Sequence, residues 1–173
     1  MARHLSVNTS CLAVVLLRQT RASYFETLLL KRAKPPCQGH WFYVTGRIEA
    51  AETARAAALR EVREETGLVP SRLYSANCTV QFYAPPVMDG DLLRGGDCLM
   101  IMPAFVAYVA PEAEPDSAIL AGPEAENEDM EWVALELAID TVRLPGQRRL
   151  LKLVLEEFVQ RLPDRDLLLF KAD

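Results

Sequence analysis

The chain has 173 residues, half of them hydrophobic and a quarter charged, with 24 Asp plus Glu against 19 Lys plus Arg. At roughly 100–200 residues per domain, a single domain over residues 1–173 is expected, and this composition excludes disorder as the main state. The net charge of −5 has the wrong sign for gripping a long nucleic acid through its phosphates, whereas a small anionic substrate can still be held through a bridging cation.

Arg3 ahead of the apolar run Cys11 to Leu17 has the outline of a short signal segment. No small-residue cleavage site follows, so a strand is the better reading, although the lack of any acidic residue before Glu26 keeps a transit peptide open. Cys11 to Leu17 and Tyr24 to Leu30, separated by the polar segment Arg18 to Ser23, suit a β-hairpin. Pro35, Pro36 and Gly39 then break the chain before a short aromatic strand, Trp41 to Val44.

From Thr53 to Thr66 the sequence is rich in Ala, Arg, Glu and Leu, with Thr53 placed as N-cap and Gly67 as stop signal. Ala54, Ala58 and Val62 form a narrow apolar stripe on that helix, able to lie close against a sheet. Further strands are expected around Leu73 to Tyr83 and Cys98 to Val109, with a glycine-rich mobile loop over 89–96 between them. Pro111 to Asp129 reads as an acidic surface loop that leads into a strand at Met130 to Val133. An amphipathic helix follows at Gln147 to Leu162, ended by Pro163. The apolar tail within 164–173 can form an extra edge strand or cover a second copy in a homodimer.

The four cysteines, Cys11, Cys37, Cys78 and Cys98, are far apart with no CxxC pair. That argues against a zinc ribbon or dithiol motif and for a reduced, cytoplasmic protein. Leu99 to Ala110 is shorter than a membrane span and carries Pro103, so no membrane partner is expected.

The chemistry concentrates between Gly46 and Leu68. At about 100° per residue, Glu64 and Glu65 fall about 60° and 40° to either side of Glu61, so three carboxylates leave one arc of the helix. They repel one another and lie near the negative end of the helix dipole, so a positive group must offset them. A hard divalent cation suits such oxygen donors, with the carbonyl of Gly46 as a further ligand at a strand-to-loop junction. The alternative is a solvated acidic face balanced by Arg55, Arg60 and Arg63 through pairs such as Arg60 to Glu64.

This segment resembles the signature of the Nudix hydrolase family at Gly46, Glu52, Arg60, Glu61, Val62, Glu64, Glu65, Gly67 and Leu68. The resemblance implies an α/β (α+β) fold, a mixed β-sheet sandwiched between α-helices. It implies a pyrophosphohydrolase that uses Mg²⁺, or Mn²⁺, to attack a nucleoside diphosphate derivative with water. Glu61, Glu64 and Glu65 would ligate the metal together with Gly46, Arg60 and Glu52 would form a supporting ion pair, and Glu64 or Glu61 would take the proton. Glu126, or else Glu128, would add a further acid from outside the motif. Where many members carry two glycines, this chain has Thr45 and Gly46.

The fragment Trp41 to Gly46, Ile48-Glu49 and Gln147-Arg148 are similar to the branch that hydrolyses dATP and dihydroneopterin triphosphate. A nucleoside or pterin triphosphate, split to monophosphate and pyrophosphate, is therefore the first expectation. ADP-ribose, other nucleoside diphosphate sugars and dinucleoside polyphosphates are the second, and a non-catalytic nucleotide sensor is the third. Arg32 is a candidate phosphate contact, and Trp41, Phe82 and Tyr83 are candidate stacking platforms for a base or pterin ring as well as candidate core residues. His4 and His40 have no ligand spacing.

Overall fold

The computed structural model describes residues 6–35, 37–84, 98–123 and 125–172. In chain order these residues form β1 (Ser6–Asn8), β2 (Cys11–Gln19), β3 (Phe25–Arg32), β4 (Trp41–Phe42), β5 (Val44–Arg47), α1 (Ala54–Thr66), β6 (Arg72–Ala84), β7 (Cys98–Tyr108), β8 (Asn127–Ala134), α2 (Leu135–Thr141), α3 (Pro145–Val154) and β9 (Leu168–Lys171).

The strands build one mixed sheet, in the path β4-β3-β2-β7-β6-β9, with β1 on β7, β5 on β2 and β8 on β3. The expected hairpin is present: β2 and β3 pair antiparallel from Leu17 opposite Thr27 to Gln19 opposite Phe25. β2 and β7 run parallel at the centre of the sheet, with Ala13 opposite Ala104 and Leu17 opposite Tyr108. Because strand side chains alternate between faces, β2 feeds two cores. Ala13, Val15 and Leu17 pack beneath α2 and α3 with Leu135, Ile139, Leu150, Leu151 and Phe158. Leu12, Val14 and Leu16 pack beneath α1 with Ala57, Ala58 and Val62. The result is the expected sandwich of a mixed sheet between helices.

Helix α1 starts and stops as its sequence dictates. The Thr53 hydroxyl accepts a hydrogen bond from the Ala56 N–H at 3.2 Å, and Gly67 closes the helix at φ 73°, in the left-handed region that glycine enters without strain. The buried alanines keep the axis close to the sheet, which fixes the height at which the polar face stands beside the strands.

Several elements differ from the sequence reading. The final helix begins at Pro145 and changes to a π-helical turn over Leu155–Val159, where the Tyr108 hydroxyl donates to the Phe158 carbonyl at 2.7 Å. The acidic loop contains a 3₁₀ turn, Ser117–Ala121, and β8 starts at Asn127, three residues before the expected Met130, because Asn127 pairs with Arg32 across a register shift. Helix α2 was not anticipated. The tail supplies β9, an antiparallel partner of β6, and the 89–96 loop lies outside the described residues. The four cysteines are free thiols, and among the described residues no helix is long and apolar enough to cross a membrane.

Candidate active site

Where β5 ends, Gly46 lies directly beneath Glu61. A Cβ at position 46 would fall on the Glu61 side chain, so only glycine lets the carboxylate come down onto the strand. There Glu61 accepts the Arg47 N–H at 3.0 Å. In a trans peptide the carbonyl points opposite to the N–H, so the Gly46 oxygen faces away from this carboxylate, and the contact of Gly46 with Glu61 is one of shape.

Arg60 is the counter-charge of the cluster. Its guanidinium donates to Glu52 through Nη2 at 2.7 Å and Nε at 3.3 Å, and to the Arg47 carbonyl at 2.7 Å. Nη1 donates to both Glu61 and Glu64 at 2.9 Å. Glu52 in turn accepts the Glu49 N–H at 2.8 Å. The fork of a guanidinium can serve all of these acceptors at once, which a lysine ammonium cannot match in geometry. Arg60 thus ties the loop before α1 to the helix, and it holds the Glu52 carboxyl below its ordinary pKa.

Glu61, Glu64 and Glu65 line one side of a cleft of about 420 Å³ whose other side carries Ile119, Leu120, Pro123, Glu126 and Asn127. The three helix carboxylates of the sequence reading are therefore brought together, and Glu126 faces them from a distant part of the chain. Their environments differ. Glu64 is 57% exposed and Glu61 12%, and burial raises the Glu61 pKa. Burial, with the charges of Glu61 and Glu126 adding to it, pushes Glu65 up to about 8. The nearby Arg32 charge and a hydrogen bond from Asn127 pull the other way without overcoming burial, so the ionised carboxyl is under-compensated. Among the described residues no three acidic, His or Cys side chains already stand at mutual ligating distance, because Arg60 sits between Glu61 and Glu64. The donor set is nonetheless all hard oxygen, under-compensated and open to solvent, which fits Mg²⁺ or Mn²⁺ and not a soft metal.

Arg32 lies beside this cleft and pairs with Glu126 at 3.0 Å, while Lys31 pairs with Glu128 at 2.9 Å. Trp41 is placed elsewhere: it lines a separate groove of about 390 Å³ with Glu131, Val133, Leu137, Asp140 and Thr141, on the α2 side of the sheet. Its carbonyl accepts from Gln147 at 3.2 Å. The Tyr83 side chain and His4 fall outside the described residues, Phe82 packs against the α2–α3 core, and His40 approaches Arg143 at 3.3 Å. Sequence reasoning missed Asn127, a buried amide hydrogen-bonded to Glu65. It also missed the apolar wall at Ile119 and Leu120. The only hint of Asn127 was its position between Glu126 and Glu128.

Comparison with known proteins identifies the family and the fold. A nudix-family protein of Caenorhabditis elegans is 44% identical over 60 residues, 35% of this chain and 16% of that protein. An octanoyltransferase of Myxococcus xanthus is 32% identical over 126 residues, 72% of this chain and 31% of that protein. The 8-oxo-dGDP phosphatase NUDT18 of Homo sapiens is 49% identical over 43 residues, 25% of this chain and 13% of that protein. The chain thus spans less than a third of the length of each of these curated relatives. Among solved structures, a NUDIX-family protein of Listeria monocytogenes matches with a TM-score of 0.67 at 18% identity, covering 96% of this chain and 100% of that one. The Ap4A hydrolase of Caenorhabditis elegans, in a binary complex, matches with a TM-score of 0.65 at 20% identity, covering 88% and 99%; both likenesses concern the fold. Residues 8–154 match the NUDIX domain, and the chain belongs to that family.

Proposed function

We propose that this protein is a divalent-cation-dependent pyrophosphohydrolase that cleaves a phosphoric anhydride bond in a small nucleotide. The observation that carries this reading is the cleft in which Glu61, Glu64 and Glu65 face Glu126 and Asn127, built on a family motif with none of its carboxylates missing. An anionic diphosphate would be repelled by these groups alone, so they serve to hold a cation between protein and substrate. When bound, Mg²⁺ or Mn²⁺ neutralises diphosphate charge and acidifies water at the site.

The chain's own residues divide the remaining work. Glu61, Glu64 and Glu65, with Glu126 opposite, would hold the cation. Arg60, anchored on Glu52, keeps Glu61 and Glu64 oriented, and its bonds to Glu52 and the Arg47 carbonyl would keep it in place with those two carboxylates engaged on a metal. Arg32 turns from Glu126 toward a substrate phosphate. A water oxygen bonds to phosphorus, the bridging P–O bond breaks, and Glu64 or Glu61 accepts the water's proton and returns it to solvent.

For the substrate we favour a nucleoside triphosphate or diphosphate with a purine-like ring. The motif context around Trp41 to Gly46 supports a triphosphate, and the similarity to an 8-oxo-dGDP phosphatase supports a diphosphate. The deciding experiment is Mg²⁺-dependent product release from dATP, dihydroneopterin triphosphate, 8-oxo-dGDP, ADP-ribose and diadenosine tetraphosphate. Cleavage of a triphosphate or diphosphate sustains the proposal. Cleavage of ADP-ribose or the dinucleotide alone moves the chain to the second substrate class, and binding of the panel without cleavage overturns the enzymatic reading in favour of a sensor.

A further inference from the structure

One wall of the cleft has almost no core to hold it. In residues 113–123 the 3₁₀ turn Ser117–Ala121 has no buried residue, yet it supplies Ile119 and Leu120 to the cleft. Its position must come from a few polar ties. Two are at the end of α1: the Asp116 N–H donates to the Thr66 carbonyl at 2.9 Å, and the Asp116 side chain lies against Gly67, leaving no room for a Cβ there. The third is a side chain from the far end of β2.

Arg18 stands opposite Glu26 in the β2–β3 register. Its Nε donates to Glu26 at 2.7 Å, and Nη1 donates to the Ala113 carbonyl at 3.0 Å and to Glu114 at 2.7 Å. The guanidinium lies over the Trp132 ring of β8, 4.3 Å from its centroid. The side chain is 14% exposed. One guanidinium therefore joins β2, β3, β8 and the root of the wall; its bonds to Glu26 and the Ala113 carbonyl are partly buried, whereas Glu114 is 70% exposed, so the first two carry most of the clamp. The neighbouring pair Arg21–Glu112, 3.7 Å apart with side chains 90% and 66% exposed, is too wet to replace it.

We infer that Arg18 is a positioning residue: by clamping Ala113 and Glu114 to the sheet it fixes the 113–123 wall at the distance from Glu61, Glu64 and Glu65 at which a nucleotide is held. It touches none of the cleft-lining groups itself, and its effect passes through Asp116 and the 3₁₀ turn. The consequence for catalysis rests on the proposed hydrolase reading, whereas the clamp on the wall does not.

Hydrogen exchange on the whole chain and steady-state kinetics on the cleaved substrate test this together, using Arg18→Gln, Glu114→Gln and, as a control, Arg21→Gln. Loss of the clamp should speed exchange of the Asp116, Ala118 and Ile119 amides about tenfold in Arg18→Gln and about twofold in Glu114→Gln, whose carboxylate is largely exposed, with the α1 interior and the Arg21→Gln protein unchanged. KM should rise several-fold while kcat changes less, and Arg18→Lys should not restore it, since an ammonium cannot serve the same fork. Glu114 is exposed and lies outside the sheet, so its variant decides the matter if Arg18→Gln does not fold. Unchanged wall amides in Glu114→Gln, or exchange that rises evenly through the molecule, would overturn the inference. A wild-type protein that cleaves nothing but still shows selective loosening of the wall keeps the clamp and removes only the hydrolase reading.

Discussion

Glu64 is the most exposed carboxylate of the Arg60 cluster and shares a single guanidinium nitrogen with Glu61. Replacing it with Gln removes a charge from the cleft and nothing from either core. Turnover should fall by about 100-fold or more with the melting temperature nearly unchanged, read by Mg²⁺-dependent product release beside a thermal melt. Unchanged turnover would remove Glu64 from the metal site. Gly46→Ala tests shape instead of charge. The new methyl occupies the space of the Glu61 side chain, so Glu61 must swing off the Arg47 N–H, and activity should drop as far as in the Glu64 variant. Glu61, Glu64 and Glu65 were legible in the sequence because helix geometry alone fixes their angular relation, whereas the close approach of Gly46 to Glu61 was not, since Gly46 was expected as a carbonyl ligand. Arg18 was not: its partner Glu114 is 96 positions away, and an arginine in a hairpin strand carries no mark of what it will meet.

At the scale of the element, α1 is specified almost entirely by its own residues. Thr53→Ala deletes the cap to the Ala56 N–H and should cost about 1 kcal/mol, or about 2–4 °C in melting temperature. Gly67→Ala should cost at least as much, since the left-handed φ of 73° and the contact with Asp116 both oppose a methyl group. Differential scanning calorimetry separates these losses from any effect on the carboxylates. The elements that escaped the sequence reading lack such local marks. Helix α2 has seven residues and no side-chain cap at Ala134, so it depends on burying Leu135, Ala138 and Ile139. The early start of β8 depends on its pairing with β3 across a register shift. Packing and pairing with distant strands made these assignments, and a window of sequence contains neither.

For the whole molecule, the proposed cation site makes stability a readout of cation binding. A cation that binds the folded chain at a hundredfold excess over its Kd should stabilise it by about 3 kcal/mol, raising the melting temperature by about 6–12 °C. Glu61→Gln should remove most of that increment, and a wild-type melt indifferent to Mg²⁺ and Mn²⁺ would count against the cation site. The sandwich itself was implied by the family resemblance that the motif carries, and the order of apolar runs was compatible with it. What no run revealed is the parallel pairing of β2 with β7, which sets the strand order.

That pairing also bears on how the chain emerges during synthesis. Strand β2, seven of whose nine residues are buried, meets β3 and β5 soon after leaving the ribosome, but its long parallel edge stays open until Cys98–Tyr108 has been made. For that interval the nascent protein offers a wide apolar strand edge to any neighbouring chain. Stalled or truncated translation products that end before β7 should therefore be the aggregating species, and β2 the segment that chaperones cover.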